Sequence, residues 1–472
     1  MRDFLNKIKK VHFIGIGGIG ISGLAKIFLL QGKSISGSDL VSSKNIWDLK
    51  KKGAKIFPRQ HREENLPKNT DLVIYTQAAT LENPEIKIAK KKRIKILSYP
   101  EILGYMTKKK FLICISGTHG KTTTTALSSL VLTEANFDPT CIIGSNLKEF
   151  DGNARAGKSK FFVLEADEYK GSFLNYWPKI IILTAIEYEH PDYFKNLDHT
   201  LEIYKKYIEH LPKNGVLIAN ADDKNVMKVA KTAKCRVITY GIKQKADVAA
   251  KDIKLGGWPE FKIFNFQFSI FNQILNSKIQ KFRLKIPGIH NVYNALAVIA
   301  LAQELKISLD IVQKVLANYH GAWRRFEIKK IISQKNITII DDYAHHPTEI
   351  KVTLRAARER FPNRKIICIF QPHQYQRTKF LFNDFTKAFF DADEVIIPEI
   401  YYVVGREKKI KEVSSKKLAQ AIKKKSVNAK YLGNFSAILE YIKKNLEKNC
   451  VIITMGAGDI TTLNDRLVKK LS

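Results

Sequence analysis

The stretch FLICISGTHGKTTTT, residues 111–125, decides the class of fold. An apolar run leads into a turn with two glycines and then into a segment that starts with Lys121 and Thr122. A glycine turn between a strand and a helix offers backbone N–H groups to phosphate, while lysine and threonine suit the phosphate oxygens and Mg²⁺. The stretch predicts a nucleotide-binding loop in an α/β fold, although Ile115 occupies the first glycine position of the pattern G-x-x-x-x-G-K-[ST]. The alternative is a strand, loop and helix without a ligand.

Acidic residues follow the next apolar run, FFVLEADEYKGSF. Glu165, Asp167 and Glu168 come where a strand is expected to end. Carboxylates at the carboxyl edge of a parallel sheet, beside a phosphate loop, are suited to hold Mg²⁺ directly or through water. His190 follows another strand-like run and is a weaker candidate. The alternatives are a solvated acidic turn and a structural histidine.

A second glycine turn lies near the start of the chain, in VHFIGIGGIG. Gly15, Gly17 and Gly20 form G-x-G-x-x-G, with Gly18 inside it, between an expected strand and an expected helix. Such a turn admits a diphosphate at the helix N-terminus, and Asp39 is placed to bind a ribose hydroxyl. The motif alone predicts a dinucleotide or UDP-type ligand, with a purely structural turn as the alternative.

Two polar loops follow strand-like runs in the last third of the chain. The loop DDYAHHPTEI follows NITII, and the loop FQPHQYQRT follows KIICIF. Loops at the carboxyl ends of strands form the ligand crevice of an open α/β sheet. The two histidines before a proline are alternatively explained as helix capping.

The remaining pattern predicts an α/β protein of three domains. Apolar strand-like runs alternate with helix-length segments, which is typical of parallel sheets. Residues 1–107 are expected to form a Rossmann-like domain, to which the family resemblance described below assigns UDP binding, residues 108–322 a central P-loop ATPase-type parallel sheet, and residues 323–472 a second Rossmann-like domain. Period-two runs between Glu260 and Ile286 predict antiparallel strands added to the central sheet.

Composition excludes several classes of protein. The 472 residues contain no apolar run long enough to span a bilayer, and the five scattered cysteines form neither a metal-type pair nor a disulfide framework. Glycines at the N-terminus argue against a secretion signal. We therefore expect a cytoplasmic protein without a membrane partner. The formal charge of +35 invites a nucleic-acid partner. No DNA- or RNA-binding motif accompanies the lysines, so we expect none and interpret the charge as a lysine-rich surface.

Taken together, these motifs resemble the Mur ligase family over nearly the whole chain. The family's phosphate loop, GTxGKT, lacks the first glycine of the usual pattern, so Ile115 fits it. The segments GIHNVYNAL, RRFE, DDYAHHPTE, FQPHQYQRT and GAGDI follow in the family's order. The chain departs from the family pattern at Ala185, at Tyr169-Lys170 and at Gln374.

The resemblance implies a set of site residues. It implies ATP-binding residues Gly117, Thr118, His119, Gly120, Lys121, Thr122, Thr123, His290, Asn291, Asn294, Arg324 and Arg325. It implies metal ligands Thr122, Glu165 and His190, and catalytic residues Lys121, His345, His346 and Arg377. For the UDP-sugar and the amino acid, the candidates are Gly15, Gly17, Gly18, Gly20, Asp39, Tyr343, His345, His373, Tyr375 and Arg377.

The resemblance also implies an activity. The motifs are most similar to those of family members that use ATP and Mg²⁺ to join L-alanine to UDP-N-acetylmuramate through an acyl phosphate, and a monomer or homodimer is expected. One alternative is a recycling ligase of the same family that attaches a tripeptide. A nicotinamide-dependent oxidoreductase would explain the first glycine turn but leaves GTHGKTTTT without a role. A nucleic-acid-dependent ATPase would explain the charge but not the first and third domains.

Overall fold

The computed structural model describes residues 2–265, 280–403, 407, 410–425 and 427–471. They form two compact units. The first comprises Met1–Glu187, Asp198–Tyr240 and Ala297–Val312, and the second comprises Tyr188–Leu197, Gly241–Leu296 and Gln313–Ser472. None of the helices within the described ranges has the length and hydropathy that crossing a bilayer requires.

The helices are α1 Arg2–Lys7, α2 Ile19–Leu30, α3 Lys44–Lys51, α4 Pro84–Lys91, α5 Tyr99–Thr107, α6 Lys121–Glu134, α7 Leu197–Ile208, α8 Lys224–Ala230, α9 Ile289–Glu304, α10 Leu309–Asn318, α11 Pro347–Arg360, α12 Tyr375–Phe380, α13 Phe382–Phe385, α14 Ser415–Lys423, α15 Phe435–Asn445 and α16 Ile460–Leu471. The strands are β1 Lys10–Ile14, β2 Ser34–Asp39, β3 Lys55–Pro58, β4 Leu72–Tyr75, β5 Lys95–Ser98, β6 Phe111–Ser116, β7 Thr140–Leu147, β8 Gly152–Arg155, β9 Phe161–Glu165, β10 Ile180–Leu183, β11 Val216–Asn220, β12 Arg236–Gly241, β13 Val248–Lys254, β14 Glu260–Asn265, β15 Gln280–Arg283, β16 Glu327–Ile332, β17 Ile337–Asp342, β18 Lys365–Phe370, β19 Glu394–Ile397, β20 Ala429–Tyr431 and β21 Cys450–Met455.

The first unit contains two mainly parallel runs of strands. One is a five-stranded parallel sheet in the order β3-β2-β1-β4-β5. The other runs β12-β11-β10-β6-β9-β7-β8, with only the β7–β8 pair antiparallel. Strand β6 lies between β9 and β10 and is parallel to both, so the loops that leave these three strands meet at one edge. The phosphate-loop motif, the acidic motif and residues 184–187 leave the sheet at this edge.

The second unit contains an antiparallel group and a six-stranded sheet. Strands β13, β14 and β15 are antiparallel neighbours. The six strands follow the order β16-β17-β21-β18-β19-β20, and only β16 pairs antiparallel. Successive residues of the central strands face opposite sides, so Ile366 and Cys368 pack in one core and Ile367 and Ile369 in the other. Helices therefore cover both faces, as in a doubly wound fold.

The predicted α/β fold class is confirmed, and the structure adds elements that the patterns did not predict. Strands β3, β8 and β16 lie at sheet edges, where the apolar signal is weak. Strands β7 and β13 lie inside their sheet but include polar residues such as Asn146 and Lys251, which interrupt the apolar pattern. Residues 266–279 of the predicted antiparallel hairpin lie outside the described residues, whereas β14 and β15 pair antiparallel as expected.

Candidate active site

Two glycines shape the loop between β6 and α6. Gly117 has φ +130° and Gly120 has φ +81°, conformations that favour glycine. A side chain on Gly117 would also overlap Thr184 and the backbone of Ala185. The carbonyl of Ala185 accepts a 2.7 Å hydrogen bond from the N–H of Thr118. Because this bond uses only the backbone, the departure from the family pattern at Ala185 leaves the loop's support in place.

Lys121 lies at the first position of α6, and its amine is held close to the loop. Its Nζ donates to the carbonyl of Gly117 at 2.5 Å and is 2.9 Å from Oε2 of Glu168. The Lys121 and Glu168 side chains are 15% and 2% exposed. A buried carboxylate requires such a partner, since an uncompensated charge in the interior is costly. Glu168 thus holds the cation beside the phosphate loop.

Thr122 and Glu165 form the part of the predicted metal site that lies in the first unit. The Thr122 hydroxyl donates to Oε1 of Glu165 at 2.9 Å, and the N–H of Gly144 donates to Oε2 at 2.6 Å. A hydroxyl and a carboxylate beside a phosphate loop fit Mg²⁺, which takes oxygen ligands. The third predicted ligand, His190, belongs to the second unit, where its carbonyl accepts from the N–H groups of Tyr193 and Phe194. Gly144 was missed by sequence reasoning because a lone glycine in a strand carries little signal.

His119 and Thr118 contact a residue that sequence reasoning also missed. Nε2 of His119 is 3.3 Å from Oε2 of Glu187, and the Glu187 N–H donates to the Thr118 hydroxyl at 2.8 Å. Glu187 follows β10, as Glu165 ends β9. A search for carboxylates after every strand of the sheet would have found it. Thr123, the last of the predicted loop residues, is buried in the first turn of α6.

The first glycine turn is fixed by Asp39. The N–H of Gly17 donates to Oδ2 of Asp39 at 2.8 Å, and the N–H of Val41 donates to Oδ1 at 3.0 Å. Gly15 has φ +75°, and a side chain on Gly20 would overlap the ring of Tyr99. Gly18 is the N-cap of α2. The structure thus gives Asp39 a role in shaping the turn, while its predicted contact with a ribose stays a prediction.

In the second unit, a buried carboxylate contacts two of the predicted acceptor-site residues, and one of these contacts a third. Oε1 of Glu189 lies 3.3 Å from Nε2 of His345 and 3.3 Å from NH2 of Arg377. NH1 of Arg377 is 3.1 Å from Nδ1 of His373. The His373 ring stacks on Tyr401 with centroids 5.4 Å apart. The predicted residues of the two polar loops therefore converge, and the link between them is Glu189, which the sequence reasoning missed.

The charge state of Glu189 follows from these neighbours. Burial raises the pKa of its carboxyl, but the hydrogen bond with His345 and the charge interactions with His190, Arg377 and His345 outweigh burial and hold that pKa well below its usual range. Glu189 is therefore an anion at neutral pH.

The other predicted residues of these loops have local roles. His346 caps α11 and is 5% exposed, and Thr348 donates to its Nδ1 at 3.3 Å. Tyr343 lies under the guanidinium groups of Arg324 and Arg325, each 5.3 Å from the ring centroid. The N–H of Tyr375 is 2.7 Å from a carboxylate oxygen of Glu407.

Arg324 and Arg325 differ in environment. Arg324 is 3% exposed, and its Nε donates to the buried Asp341 at 3.0 Å. Its other nitrogens donate to the carbonyls of Gly456 and Gly458. The Arg325 side chain is 29% exposed and 3.9 Å from Glu349. Arg324 thus has a structural role within the second unit, and the predicted contacts of both arginines with ATP stay predictions.

His290, Asn291 and Asn294 start α9. The Asn291 amide donates to the carbonyl of Pro287 at 2.7 Å and lies 3.1 Å from Nε2 of His290, and Asn294 donates to Asn291 at 3.0 Å. Nδ1 of His290 is buried and has no hydrogen-bond partner among the described residues. Burial, with a smaller contribution from the Arg325 cation, lowers the pKa of His290 to about 4. His290 is therefore neutral at pH 7.

We expect His290 to make the protein less stable as the pH falls below 6.5. Above pH 6.5 the imidazole is neutral in the folded and unfolded chains and contributes no pH dependence. Below pH 6.5 the unfolded chain binds a proton that the folded chain takes up only near pH 4, so unfolding is favoured as pH falls through this window. At pH 5 the loss is about 2 kcal/mol. Urea unfolding at pH 7 and pH 5 should show a smaller loss for His290→Gln than for the unaltered protein, and equal losses would contradict the assignment.

The fold and the site define a class of protein: an α/β fold with a phosphate-loop motif, a hydroxyl–carboxylate pair beside that loop and a separate cluster of charged side chains. Family models match successive parts of the chain. They are the Mur ligase family catalytic domain over residues 10–111, the Mur ligase middle domain over residues 115–302 and the Mur ligase glutamate ligase domain over residues 324–458. The chain belongs to the Mur ligase family.

Relatives and solved structures agree with this assignment. The chain is 45% identical to a UDP-N-acetylmuramate–L-alanine ligase of Acetivibrio thermocellus, over 98% of this chain and 96% of that protein. It is 44% identical to the protein of the same name from Clostridium acetobutylicum, over 99% of both chains. The crystal structure of UDP-N-acetylmuramate–alanine ligase from Thermotoga maritima matches with a TM-score of 0.83 and 30% identity, covering 98% of this chain and 99% of that one. A murein peptide ligase from Psychrobacter arcticus, 22% identical with a TM-score of 0.73 over 98% of both chains, shares the fold.

Proposed function

We propose that this protein joins L-alanine to the lactyl carboxylate of UDP-N-acetylmuramate, with ATP converted to ADP and phosphate, in the synthesis of peptidoglycan precursors. The observation that carries this proposal is 45% sequence identity, over 98% of the chain, to a ligase named for that reaction. The pairing of Lys121 with the phosphate loop and of Thr122 with Glu165 supports it. We further propose the three domains 1–107, 108–322 and 323–472 and a cytoplasmic location.

The first half of the reaction overcomes the low reactivity of a carboxylate. An oxygen of the lactyl carboxylate attacks the γ-phosphorus of ATP, ADP leaves, and an acyl phosphate remains. Lys121 binds the phosphate oxygens, on which negative charge spreads in the transition state. Mg²⁺ held by Thr122 and Glu165 would neutralise part of the same charge, and His190 remains a predicted ligand. Glu168 keeps the Lys121 amine in place before the nucleotide binds.

The second half takes place when the amino group of L-alanine attacks the acyl carbon and phosphate leaves. The amine must be uncharged at that moment, and an imidazole is suited to accept its proton near neutral pH. His345 is the candidate that the geometry favours, because His346 is committed to capping α11. Arg377, His373, Tyr375 and Tyr343 are proposed to bind the carboxylates of the two substrates.

Loss of the Glu165 carboxylate should weaken the metal site. In Glu165→Gln the amide keeps one acceptor for the Thr122 hydroxyl but removes the negative charge that binds a divalent cation. The Mg²⁺ concentration that gives half of the maximal rate should rise about tenfold or more. Titration of activity with MgCl₂ measures it. An unchanged half-saturation would contradict the role of Glu165 in the metal site.

A phosphate-release assay tests the proposed reaction. The purified protein is given Mg²⁺, ATP and UDP-N-acetylmuramate, then L-alanine, glycine, L-serine or the tripeptide L-Ala-D-Glu-diamino acid, and each product is weighed by mass spectrometry. Release that requires L-alanine and yields the corresponding adduct supports the proposal. Turnover with the tripeptide alone would place the protein among the recycling ligases. Turnover that does not depend on the UDP-sugar would reject both the L-alanine and the tripeptide reactions.

A further inference from the structure

A cavity of about 500 Å³ opens in the second unit. Its walls are the start of α9, one face of α11 and the residues that follow α13, and none of the described residues that line it belongs to the predicted active site. The cavity extends along α11 to Glu359, which lies about 20 Å along the helix from the cap residue His346. This α11 cavity has the size that is typical of sites for small molecules.

Apolar side chains provide much of the wall of the α11 cavity. Val352 and Ala356 line it from α11, Ile289 from the start of α9, and Ala388 from the segment after α13. The aromatic ring of Phe390 also lines the cavity, and 61% of that residue is exposed. An accessible aromatic ring opposite aliphatic groups is suited to stack on a flat ring of a ligand.

Two lysines of the α11 cavity are available to an anion. Lys351 and Lys387 line the cavity, both are exposed, and neither has an ion-pair partner in the described part of the chain. The third cation, Arg355, is committed to two carboxylates. Its Nε is 3.1 Å from Oε1 of Glu359, and its NH1 is 3.5 Å from Oδ1 of Asp391. The lysines, which carry positive charge without a partner, therefore suit a phosphate or carboxylate group of a ligand.

Glu359 offers a hydrogen-bond acceptor at the far end of the α11 cavity. Its side chain is 14% exposed, and its Oε2 has no hydrogen-bond partner within the described ranges. An unpaired acceptor in such a place is costly, so an N–H group of a ligand that reaches it is favoured. Lys351 and Glu359 belong to the same face of α11 and lie about 12 Å apart along its axis. A ligand that meets both residues must therefore be elongated.

We propose that the α11 cavity binds a nucleoside monophosphate, with its base against Phe390, an N–H group of the base at Glu359 and its phosphate at Lys351 and Lys387. A nucleotide carries an N–H donor, a flat body and an anion in that order along its length. A free amino acid is too short, because its two charges share one carbon atom, and a fatty acid has no N–H donor. This site is separate from the phosphate loop and does not depend on the proposed ligase reaction.

Equilibrium dialysis with labelled AMP tests the proposal on protein whose phosphate loop is first saturated with Mg²⁺ and a non-hydrolysable ATP analogue. We expect one AMP to bind per chain beside the analogue. Adenosine lacks the anion and inorganic phosphate lacks the base, so each should bind about tenfold or more weakly than AMP. Absence of AMP binding beside the analogue would overturn the proposal, and so would equal affinities for AMP and adenosine.

Two lysine variants test the position of the phosphate. Lys351→Met removes a cation from the α11 cavity and should lower the affinity for AMP about tenfold, because a charged hydrogen bond is lost, while the affinity for adenosine stays the same. The matched control is Lys416→Met, which removes the same charge from an exposed position of α14 in the same unit. It should leave the affinity for AMP within about twofold. Equal affinities for AMP in the two variants would overturn the proposal.

A variant that fills the α11 cavity tests where AMP binds. Val352→Trp places a large ring in the cavity and should lower the affinities for both AMP and adenosine about tenfold or more. Its urea midpoint is measured alongside, and if the variant is destabilised, Lys351→Met decides the question. Lys121→Met should bind AMP as the unaltered protein does. AMP binding that is lost in Lys121→Met but retained in Val352→Trp would place AMP at the phosphate loop and overturn the proposal.

Discussion

Replacing Lys121 with methionine should lower kcat for ATP-dependent ligation by about a hundredfold to a thousandfold, the size of effect that follows the loss of one preorganised charge at a transition state. The Lys121 amine lies 2.9 Å from Glu168 and 2.5 Å from the carbonyl of Gly117. Methionine keeps most of the volume but removes the cation. The buried Glu168 carboxylate then faces the phosphates without the Lys121 cation, and repulsion adds to the loss. Phosphate release at saturating ATP and UDP-sugar measures the effect.

A lysine at the start of the same sheet provides the control. Lys110 directly precedes β6, and its Nζ donates to the carbonyl of Ser159 at 2.8 Å. Lys110→Met removes the same charge from the chain and should leave kcat within about twofold, since exposed or edge charges contribute little. A Lys121→Met protein that retains more than a tenth of the activity would contradict the role given to Lys121.

The second large effect is on stability and concerns Arg324. Arg324→Met leaves the Asp341 carboxylate, which is 0% exposed, without its cation. It also removes the donors to the carbonyls of Gly456 and Gly458. Breaking a buried pair from one side costs about 3–5 kcal/mol because the remaining charge stays buried. We expect the free energy of unfolding of the second unit to fall by that amount, seen as a lower urea midpoint by far-UV circular dichroism.

Arg325 is the neighbouring control. Its side chain is 29% exposed and its distance to Glu349 is 3.9 Å, so Arg325→Met should cost about 1 kcal/mol or less. Similar urea midpoints for the two variants would show that burial of the Arg324–Asp341 pair does not decide stability.

The order of motifs predicted the fold because the spacing of apolar residues and the placement of glycines are local properties of the sequence. The phosphate loop was predictable from residues 117–122, since Gly117 and Gly120 adopt conformations that few other residues adopt. The carboxylates after β9 were predictable because parallel strands end at one edge. These signals need no knowledge of distant contacts.

Partners distant in sequence could not be predicted in this way. His12 lies inside the apolar strand β1, yet its Nε2 is 2.7 Å from the buried Glu85, which also accepts from Ser38 and Asn65. Burial raises the pKa of Glu85, but these hydrogen bonds and that of His61 lower it to about 2. A strand pattern marks His12 as buried but says nothing of a carboxylate 73 residues away.

The same limit applies to charged residues near the site. Arg324 and Arg325 are adjacent and look alike in sequence, but one is buried on Asp341 and the other is partly exposed. Asp39 follows the spacing of a ribose-binding residue, but its carboxylate accepts from Gly17 and Val41. The partner that each of these side chains binds depends on backbone geometry, which only the folded chain defines.

Transfer of oxygen from the UDP-sugar to phosphate tests the central claim most directly. UDP-N-acetylmuramate with both oxygens of its lactyl carboxylate labelled with ¹⁸O is converted with ATP and L-alanine, and the released phosphate is analysed by mass spectrometry. If the carboxylate attacks ATP to form an acyl phosphate, each phosphate carries one ¹⁸O atom and the amide product keeps the other. Unlabelled phosphate accompanied by the L-alanine adduct would contradict this route, and unlabelled phosphate without the adduct would contradict the proposed reaction.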